Sequence, residues 1–288
     1  MASSPFTSSL VTPYEFHNVS GTSSSRIIPV AAGRAPLRPS YEKQHIPGSI
    51  FFDMDMVTDT TSPYPQMLPT ASQFAAYMGQ LGIRPDDILV VYDAFDVGTY
   101  SAPRVAWTCR YFGHQAVHVL NNFRSYVEQK FPISEGEMLN LPPIDYPVSE
   151  PDPHRTISFD ELRRLVLQGS REYQIIDSRI SGRFSGVQEE ADPSLRSGHM
   201  PSAINIPLAA MLDTDTKAFL PLDRLKTLFQ NAGVQQSSQL ILTCNSGVTA
   251  ASLDLVLQEL GFGLERRLYD GSWMEWTRRA EDPLVIRD

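Results

Sequence analysis

Cysteine is scarce in this sequence, and no long hydrophobic run is present. Two cysteines among 288 residues exclude a disulfide framework and a multi-cysteine metal site. No apolar stretch approaches the roughly 20 residues that cross a membrane. Positive charge is also in deficit, because the formal net charge is -9, which gives the chain no overall attraction for nucleic acid or an anionic membrane. The sequence therefore predicts a protein of a reducing compartment that binds neither nucleic acid nor membrane.

The amino-terminal segment is rich in serine and lacks the basic-then-apolar order of a secretory signal. Acidic residues are scarce before Glu15, which is typical of a transit peptide, but the first domain-like pattern begins so early that little room is left for one. The sequence therefore favours the cytoplasm, with the mitochondrion as the alternative.

Two copies of one pattern follow each other along the chain. HIPGSIFFDMDM from His45 resembles HMPSAINIPLAAM from His199, and in each a turn leads into an apolar, strand-like run. The segments that begin at Leu68 and Leu220 also match, because each reads as an amphipathic helix, a glycine stop and an apolar strand. The sequence therefore predicts one duplicated domain.

A stretch rich in proline and polar residues separates the two copies. We place the first domain at residues 9–134, the linker at residues 135–155 and the second domain at residues 156–288. Strands such as YQIID and LILTC alternate with helical patterns, so each half is predicted to be an α/β domain with a mainly parallel sheet flanked by helices.

One of the two cysteines, Cys244, directly follows a predicted parallel strand, and ligands bind at the carboxyl ends of such strands. The loop that begins there consists of Cys244, Asn245, Ser246, Gly247, Val248 and Thr249. Small residues between a strand and a helix can aim several backbone N–H groups inward, and this favours the nucleophilic thiolate form of a cysteine. Cys244 is therefore predicted to be reactive, whereas Cys109, within a helical pattern, is interpreted as a buried core residue.

A tyrosine-phosphatase-like enzyme also carries its cysteine in such a loop. That chemistry needs an arginine six positions after the nucleophile, and position 250 is alanine. Phosphate-ester hydrolysis is therefore disfavoured.

Several further motifs accompany the loop. CNSGVTA, DSRISGRFSG from Asp177, GHMPSAINIP and YDGSWMEW from Tyr269 occur in the second half, and HIPGSIFFD, SPYPQMLP and TYSAPRVAW in the first. Together they resemble the tandem rhodanese family of sulfurtransferases, and within it the enzymes that use 3-mercaptopyruvate. The resemblance implies an inactive first domain and an active second domain joined around a shared cleft. Asp93 stands where Cys244 stands in the repeat, which agrees with this.

The resemblance also implies roles for the loop residues. Family members that use thiosulfate carry basic residues after the cysteine, whereas Asn245 and Ser246 are neutral, which favours 3-mercaptopyruvate as the donor. Cys244 would attack the donor sulfur and Ser246 would help protonate the leaving pyruvate, while Asn245, Gly247, Val248 and Thr249 would bind the donor or hold the transferred sulfur. Capping of the following helix is the alternative role of Thr249.

Arg183 matches a substrate-binding arginine of the family, and its guanidinium suits a carboxylate; a structural salt bridge is the alternative. A second family arginine aligns with Asp192, so either Arg196 replaces it from a rearranged loop or the affinity for the donor is weaker. An acidic residue that ends the first strand in the family is missing near Pro29.

Four residues are candidates for the walls of the predicted cleft: His45, Tyr100, Arg104 and Arg196. His45 matches the family histidine of the HIPG turn, with the pinning of its own turn as the alternative. For Tyr100 and Arg104 the alternative is packing within the protein.

The sequence therefore predicts an enzyme that moves sulfur from 3-mercaptopyruvate, through a Cys244 persulfide, to a small thiol, thioredoxin or cyanide. No metal ion or organic cofactor is expected. A thiosulfate sulfurtransferase is the first alternative and is distinguished by comparing the two donors. A non-catalytic thiol sensor or binding module is the second, and the complete CNSGVTA loop argues against it.

Overall fold

The computed structural model describes residues 4–169 and 172–288. The chain divides into two compact units. The first comprises the residues up to Thr61, Leu68–Pro151 and Asp213–Phe219, and the second comprises Ser62–Met67, Asp152–Leu212 and Leu220–Asp288. Among the described residues, no helix is long and apolar enough to cross a membrane.

The first unit contains one parallel sheet with the strand order β1-β5-β4-β2-β3. Its strands are β1 (Leu10–Val11), β2 (Ile27–Gly33), β3 (Ile50–Asp53), β4 (Ile88–Tyr92) and β5 (Val117–Leu120). Its helices are α1 (Pro13–Ser20), α2 (Arg38–Lys43), α3 (Ala71–Gln80), α4 (Ala102–Tyr111) and α5 (Phe123–Glu128), with 3-10 turns at Ala35–Leu37 and Met54–Met56.

The second unit contains a parallel sheet with the order β7-β6-β8-β9. Its strands are β6 (Tyr173–Asp177), β7 (Ile204–Asn205), β8 (Gln239–Thr243) and β9 (Arg266–Leu268). Its helices are α6 (Phe159–Gln168), α7 (Ser181–Ser185), α8 (Leu222–Asn231), α9 (Ala250–Leu260) and α10 (Ser272–Arg279), with 3-10 turns at Pro153–Arg155, Leu208–Met211 and Asp282–Leu284.

Several helices, such as α3 and α6, begin at a residue whose side chain caps them. Thr70 and Gln73 form a reciprocal capping box at the start of α3. Ser158 accepts the Glu161 N–H at the start of α6, but Glu161 does not return the bond, because its carboxylate pairs with Arg267. At α6 only half of a capping box is therefore formed.

The cores of the two units lie between the sheets and their helices. Strand β4 is buried along its whole length, and four of the five residues of β8 are buried, as expected for strands covered on both faces. Trp273 and Trp276 of α10 are fully buried and pack in the core cluster of the second unit. Helix α10 is thus held firmly beside the carboxyl end of the sheet, where its first residues meet the loop after β8.

The register of the sheets relates the two copies residue by residue. Ala31 pairs with Tyr92 in the first unit, and Asp177 pairs with Thr243 in the second. Asp93 and Cys244 therefore follow equivalent strand positions. The same register corrects the alignment near Pro29, which pairs with Val90 in the middle of β2. The position equivalent to Asp177 is Ala31, so the acidic side chain is absent there and not at Pro29.

Candidate active site

Cys244 lies directly after β8, at the carboxyl end of the sheet, and α9 begins at Ala250. We call residues 244–249 the cysteine loop. Gly247 adopts a positive φ of 78°, a conformation that glycine takes without steric cost. Cys244 is 2% exposed. The loop thus reverses the chain tightly around a nearly buried thiol.

Ser272, the first residue of α10, fastens the cysteine loop. Its hydroxyl accepts hydrogen bonds from the N–H groups of Cys244, at 3.1 Å, and Gly247, at 3.0 Å. It donates to the Tyr269 carbonyl at 2.8 Å and lies 4.0 Å from the Cys244 sulfur. Ser272 therefore holds both ends of the turn that surrounds the thiol.

The start of α10 makes two further bonds to the loop through its backbone. The N–H of Trp273 donates to the Cys244 carbonyl, and the N–H of Met274 donates to the Asn245 carbonyl, each at 3.0 Å. Sequence reasoning did not assign a role to Ser272, although it lies in the YDGSWMEW motif. The pattern that could have indicated this role is Gly271 and Ser272 directly before Trp273, at the start of a helix.

Thr249 does not cap α9 with its side chain. Its hydroxyl instead lies 2.7 Å from the hydroxyl of Ser178, which follows β6. The Ser178 N–H in turn donates to the Thr243 carbonyl. The alternative role of Thr249 as a side-chain cap is therefore wrong, and the Thr249–Ser178 pair joins the loop to the neighbouring strand.

Backbone donors remain available inside the loop. The N–H groups of Asn245, Ser246, Val248 and Thr249 form no hydrogen bond within the part of the chain that the structure describes. The buried side-chain oxygen of Asn245 is likewise without a partner there. Unbonded N–H groups next to a helix N-terminus favour a negative charge, so the loop can stabilise a thiolate, a persulfide or a leaving enolate.

Arg183 lies on α7, which follows the strand adjacent to β8. Its side chain is 27% exposed, and its Nε lies 3.7 Å from the Glu190 carboxylate, which is too long for a hydrogen bond. Among the described residues, its guanidinium forms no hydrogen bond. The terminal N–H groups of Arg183 can therefore bind an anion without breaking an existing bond.

Arg183 lies beside the buried side chains of Asp177, Arg179 and Glu190. We call these four residues the buried ion cluster. Arg179 donates to Asp177 at 2.7 and 2.9 Å, to Glu190 at 3.0 Å and to the Gly198 carbonyl at 2.7 Å. Burial raises the pKa of the Glu190 carboxyl, and the charges of Arg179 and Arg183 oppose this rise. Two carboxylates and two guanidiniums make the cluster neutral before any donor binds.

Comparison with known proteins identifies the family to which the chain belongs. The Rhodanese-like domain matches the chain twice, over residues 33–126 and 158–279. This chain belongs to the rhodanese family.

Three rhodanese relatives show what the chain is similar to. The 3-mercaptopyruvate sulfurtransferase of Homo sapiens is 39% identical over 252 residues, which cover 87% of this chain and 83% of that protein. The thiosulfate sulfurtransferase of Rattus norvegicus is 38% identical over 257 residues, which cover 86% and 82%. The crystal structure of the Tum1 protein from Saccharomyces cerevisiae matches with a TM-score of 0.89 at 32% identity and covers 97% of this chain and 98% of that chain. The predictions of two tandem rhodanese-like domains and of an enzyme of the sulfurtransferase class are confirmed.

Arg196 departs from the predicted role of a second donor-binding arginine. Its guanidinium donates to the carbonyls of Thr277 and Ala280, at the end of α10, and to the carboxylate of Asp282. Asp192, the residue that aligns with the family arginine, pairs with Arg278 and accepts bonds from Ser194. Arg196 is therefore used to end a helix, because the last carbonyls of a helix lack partners within it.

In the first rhodanese unit, two of the residues predicted to line a cleft are buried. His45 is 3% exposed and its Nδ1 lies 2.9 Å from the Tyr41 carbonyl, so it pins the end of α2. Arg104 is 3% exposed and stacks over the Trp107 ring, 5.4 Å from its centroid. These contacts favour the structural alternatives for both residues. Tyr100 is 45% exposed, and its role as a cleft residue stays a prediction.

Asp93 occupies the cysteine position of the first rhodanese unit. Its carboxylate accepts hydrogen bonds from the N–H groups of Tyr100, Ser101 and Ala102 at 2.7–3.0 Å. The backbone N–H groups of the equivalent loop in the first unit are therefore bonded to the chain's own carboxylate. Burial raises the pKa of Asp93 to about 6, and the three backbone donors oppose this.

Because the pKa of Asp93 is raised, the free energy of unfolding should depend on pH. We expect the Asp93→Asn variant to lose this dependence. The pKa in the folded state lies above the ordinary value of 3.8, so the folded protein binds this proton more tightly than the unfolded chain does. The contribution to the free energy of unfolding is greatest below pH ~4 and falls by about 3 kcal/mol as the pH rises through ~6 to ~7. Urea unfolding of both proteins across this range measures it, and parallel pH curves would contradict the assignment.

Among the described residues, no group of three or more His, Cys, Asp and Glu side chains is arranged to hold a metal ion. The groups of the site that can carry chemistry include the Cys244 thiol, the loop N–H donors and the Arg183 guanidinium.

Proposed function

We propose that the protein transfers sulfur from 3-mercaptopyruvate to a thiol acceptor through a persulfide on Cys244. The Cys244 thiolate attacks the donor sulfur, and the donor's carbon–sulfur bond breaks. The bonding electron pair leaves with the carbon as the enolate of pyruvate, which takes up a proton. An acceptor thiolate then attacks the outer sulfur of the persulfide and restores the Cys244 thiolate.

Different residues of the chain assist the different steps. Arg183 binds the donor carboxylate through its terminal N–H groups. The N–H groups of the cysteine loop stabilise the negative charge that develops on the enolate and later on the outer sulfur. Ser246, which is only partly buried, delivers a proton to the enolate with water.

The observation that carries the choice of donor is the charge of the loop. Asn245 and Ser246 are neutral, so the loop offers backbone dipoles but no cationic side chain. Arg183, a member of the neutral ion cluster, then supplies one guanidinium whose terminal N–H groups form no hydrogen bond among the described residues. One guanidinium suits the single carboxylate of 3-mercaptopyruvate better than the doubly charged thiosulfate.

Thiosulfate as the donor is the second candidate. The relatives support it about equally, because the human 3-mercaptopyruvate enzyme and the rat thiosulfate enzyme are 39% and 38% identical to this chain. The second arginine of the family is replaced by Asp192, which pairs with Arg278, and the loss of this arginine also favours the alternative.

Steady-state rates with the two donors, with cyanide as the common acceptor, distinguish them. We expect kcat/KM for 3-mercaptopyruvate to exceed that for thiosulfate by at least about tenfold, equal to roughly 1.4 kcal/mol of transition-state binding. Asn245→Arg adds a positive charge inside the loop and should shift the ratio toward thiosulfate. A higher kcat/KM for thiosulfate in the wild-type protein would reverse the proposal.

Thioredoxin or a small thiol is the proposed physiological acceptor, and the cytoplasm is the proposed location, with the mitochondrion as the alternative. Pre-loaded protein mixed with reduced thioredoxin, or with glutathione, tests the acceptor by release of sulfide. A protein that forms the persulfide but passes it to neither would be better explained as a thiol sensor.

A further inference from the structure

The buried ion cluster contains one carboxylate that contacts both arginines of the DSRISGRFSG motif. The Glu190 side chain is 1% exposed. One of its oxygens accepts a hydrogen bond from Arg179 at 3.0 Å, and the other lies 3.7 Å from the Nε of Arg183. Glu190 thus faces the inner edge of the Arg183 guanidinium.

The contact fixes which edge of Arg183 points outward. A guanidinium presents its Nε edge and its terminal N–H groups in one rigid plane. With the Nε edge held toward a buried carboxylate, the terminal groups lie on the far side. The terminal groups form no hydrogen bond among the described residues, and the Nε edge is drawn toward Glu190 by charge, at 3.7 Å, without a hydrogen bond.

We propose that Glu190 is a positioning residue that orients Arg183 for the carboxylate of the sulfur donor, an inference that rests on the proposed function. Without this anchor, the long arginine side chain rotates freely, and donor binding has to order it at a cost in affinity. Glu190 touches neither donor nor sulfur and acts through Arg183.

The same carboxylate is connected to the cysteine loop. Arg179, the hydrogen-bond partner of Glu190, stacks over the Trp273 ring, with its Cζ 3.9 Å from the ring centroid. The N–H of Trp273 donates to the Cys244 carbonyl. The backbone of Arg183 is held as well, because its carbonyl accepts the Gly198 N–H at 2.9 Å. The donor-binding arginine and the nucleophile are therefore mounted on one rigid assembly.

A purely structural role makes a different prediction. If Glu190 served only to neutralise the buried Arg179, its replacement would lower stability and disturb the cysteine loop, and both kcat and the reactivity of Cys244 would fall. If Glu190 positions Arg183, the main change is in donor binding.

A double-mutant cycle separates the two roles. We expect Glu190→Gln to raise the KM for 3-mercaptopyruvate about tenfold and to change kcat by less than about twofold. Iodoacetamide should modify Cys244 at the wild-type rate. In an Arg183→Gln background, Glu190→Gln should raise KM no further, because the group through which it acts is gone.

Matched controls accompany the cycle. Glu281→Gln makes the same chemical change at the surface ion pair with Arg163 and should leave KM unchanged. If Glu190→Gln fails to fold, Glu190→Asp keeps the negative charge in the cluster but lengthens the 3.7 Å contact with Arg183, and it is expected to raise KM in the same direction. An equal rise in KM with and without Arg183, or a fall in kcat with an unchanged KM, would overturn the proposal.

Pyruvate provides a readout that does not depend on turnover. Its carboxylate should protect Cys244 from iodoacetamide, and Glu190→Gln should raise the half-protecting concentration about tenfold. Should the wild-type protein fail to use 3-mercaptopyruvate, the proposed function falls. The role of Glu190 is then decided by this protection assay, in which an unchanged half-protecting concentration would refute it.

Discussion

Replacing Cys244 by serine is expected to lower sulfur transfer by at least about three orders of magnitude, because no other group of the site can form the persulfide. A serine hydroxyl fills nearly the same space and keeps the loop bonds, so the fold should be preserved. The first half-reaction, measured as pyruvate released per enzyme from 3-mercaptopyruvate, should fall with the overall rate. Residual activity above about a tenth of the wild-type value would mean that sulfur travels by another route.

Cys109 supplies the matched control for this experiment. It is fully buried on α4, and burial raises the pKa of its thiol to about 12, so it stays protonated and unreactive at neutral pH. Cys109→Ala should retain transfer at close to the wild-type rate, with a stability loss of about 1 kcal/mol for the small cavity. If both cysteine variants lost activity equally, the assignment of one reactive thiol would be wrong.

Replacing Ser272 by alanine is expected to reduce kcat/KM by roughly 10²- to 10³-fold. The hydroxyl accepts hydrogen bonds from the N–H groups of Cys244 and Gly247, and its removal takes both bonds away in a buried place, at a cost of about 1 to 3 kcal/mol for each. The loop can then relax, and its remaining donors no longer point at one site. Persulfide formation should slow in single-turnover measurements.

The control for Ser272 is Ser238→Ala in the turn before β8. Among the described residues, the Ser238 hydroxyl bonds only to the side chain of Gln235, at 3.3 Å, so its loss should leave the rate unchanged. Iodoacetamide modification of Cys244 reports on the loop directly and should become slower in Ser272→Ala alone. An unchanged rate in both variants would show that Ser272 does not hold the loop in its active form.

Local patterns were sufficient to predict the two α/β units. The strand before Cys244, the small residues after it and the following helix are all contiguous in sequence, so the position of the thiol at the end of a parallel strand could be inferred directly. The internal repeat gave the second reference point, because it aligned Asp93 with Cys244. The sheet register then placed both residues after equivalent strand positions.

Roles that depend on distant contacts could not be predicted. Ser272 is far along the chain from the loop that it holds, and Arg196 reaches carbonyls near residue 280 that sequence does not place beside it. The shift from Pro29 to Ala31 needed the pairing of β2 with β4. The sequence does not distinguish Glu190 from the other acidic residues of its segment, whereas the structure shows its carboxylate between two arginines.

Mass spectrometry of the reduced protein before and after 3-mercaptopyruvate tests the central claim most directly. We predict a gain of the mass of one sulfur atom, located on the peptide that contains Cys244, with one equivalent of pyruvate released and no gain in Cys244→Ser. Neither added sulfur nor pyruvate in the wild-type protein, under conditions where thiosulfate does load Cys244, would contradict the proposal that 3-mercaptopyruvate is the donor.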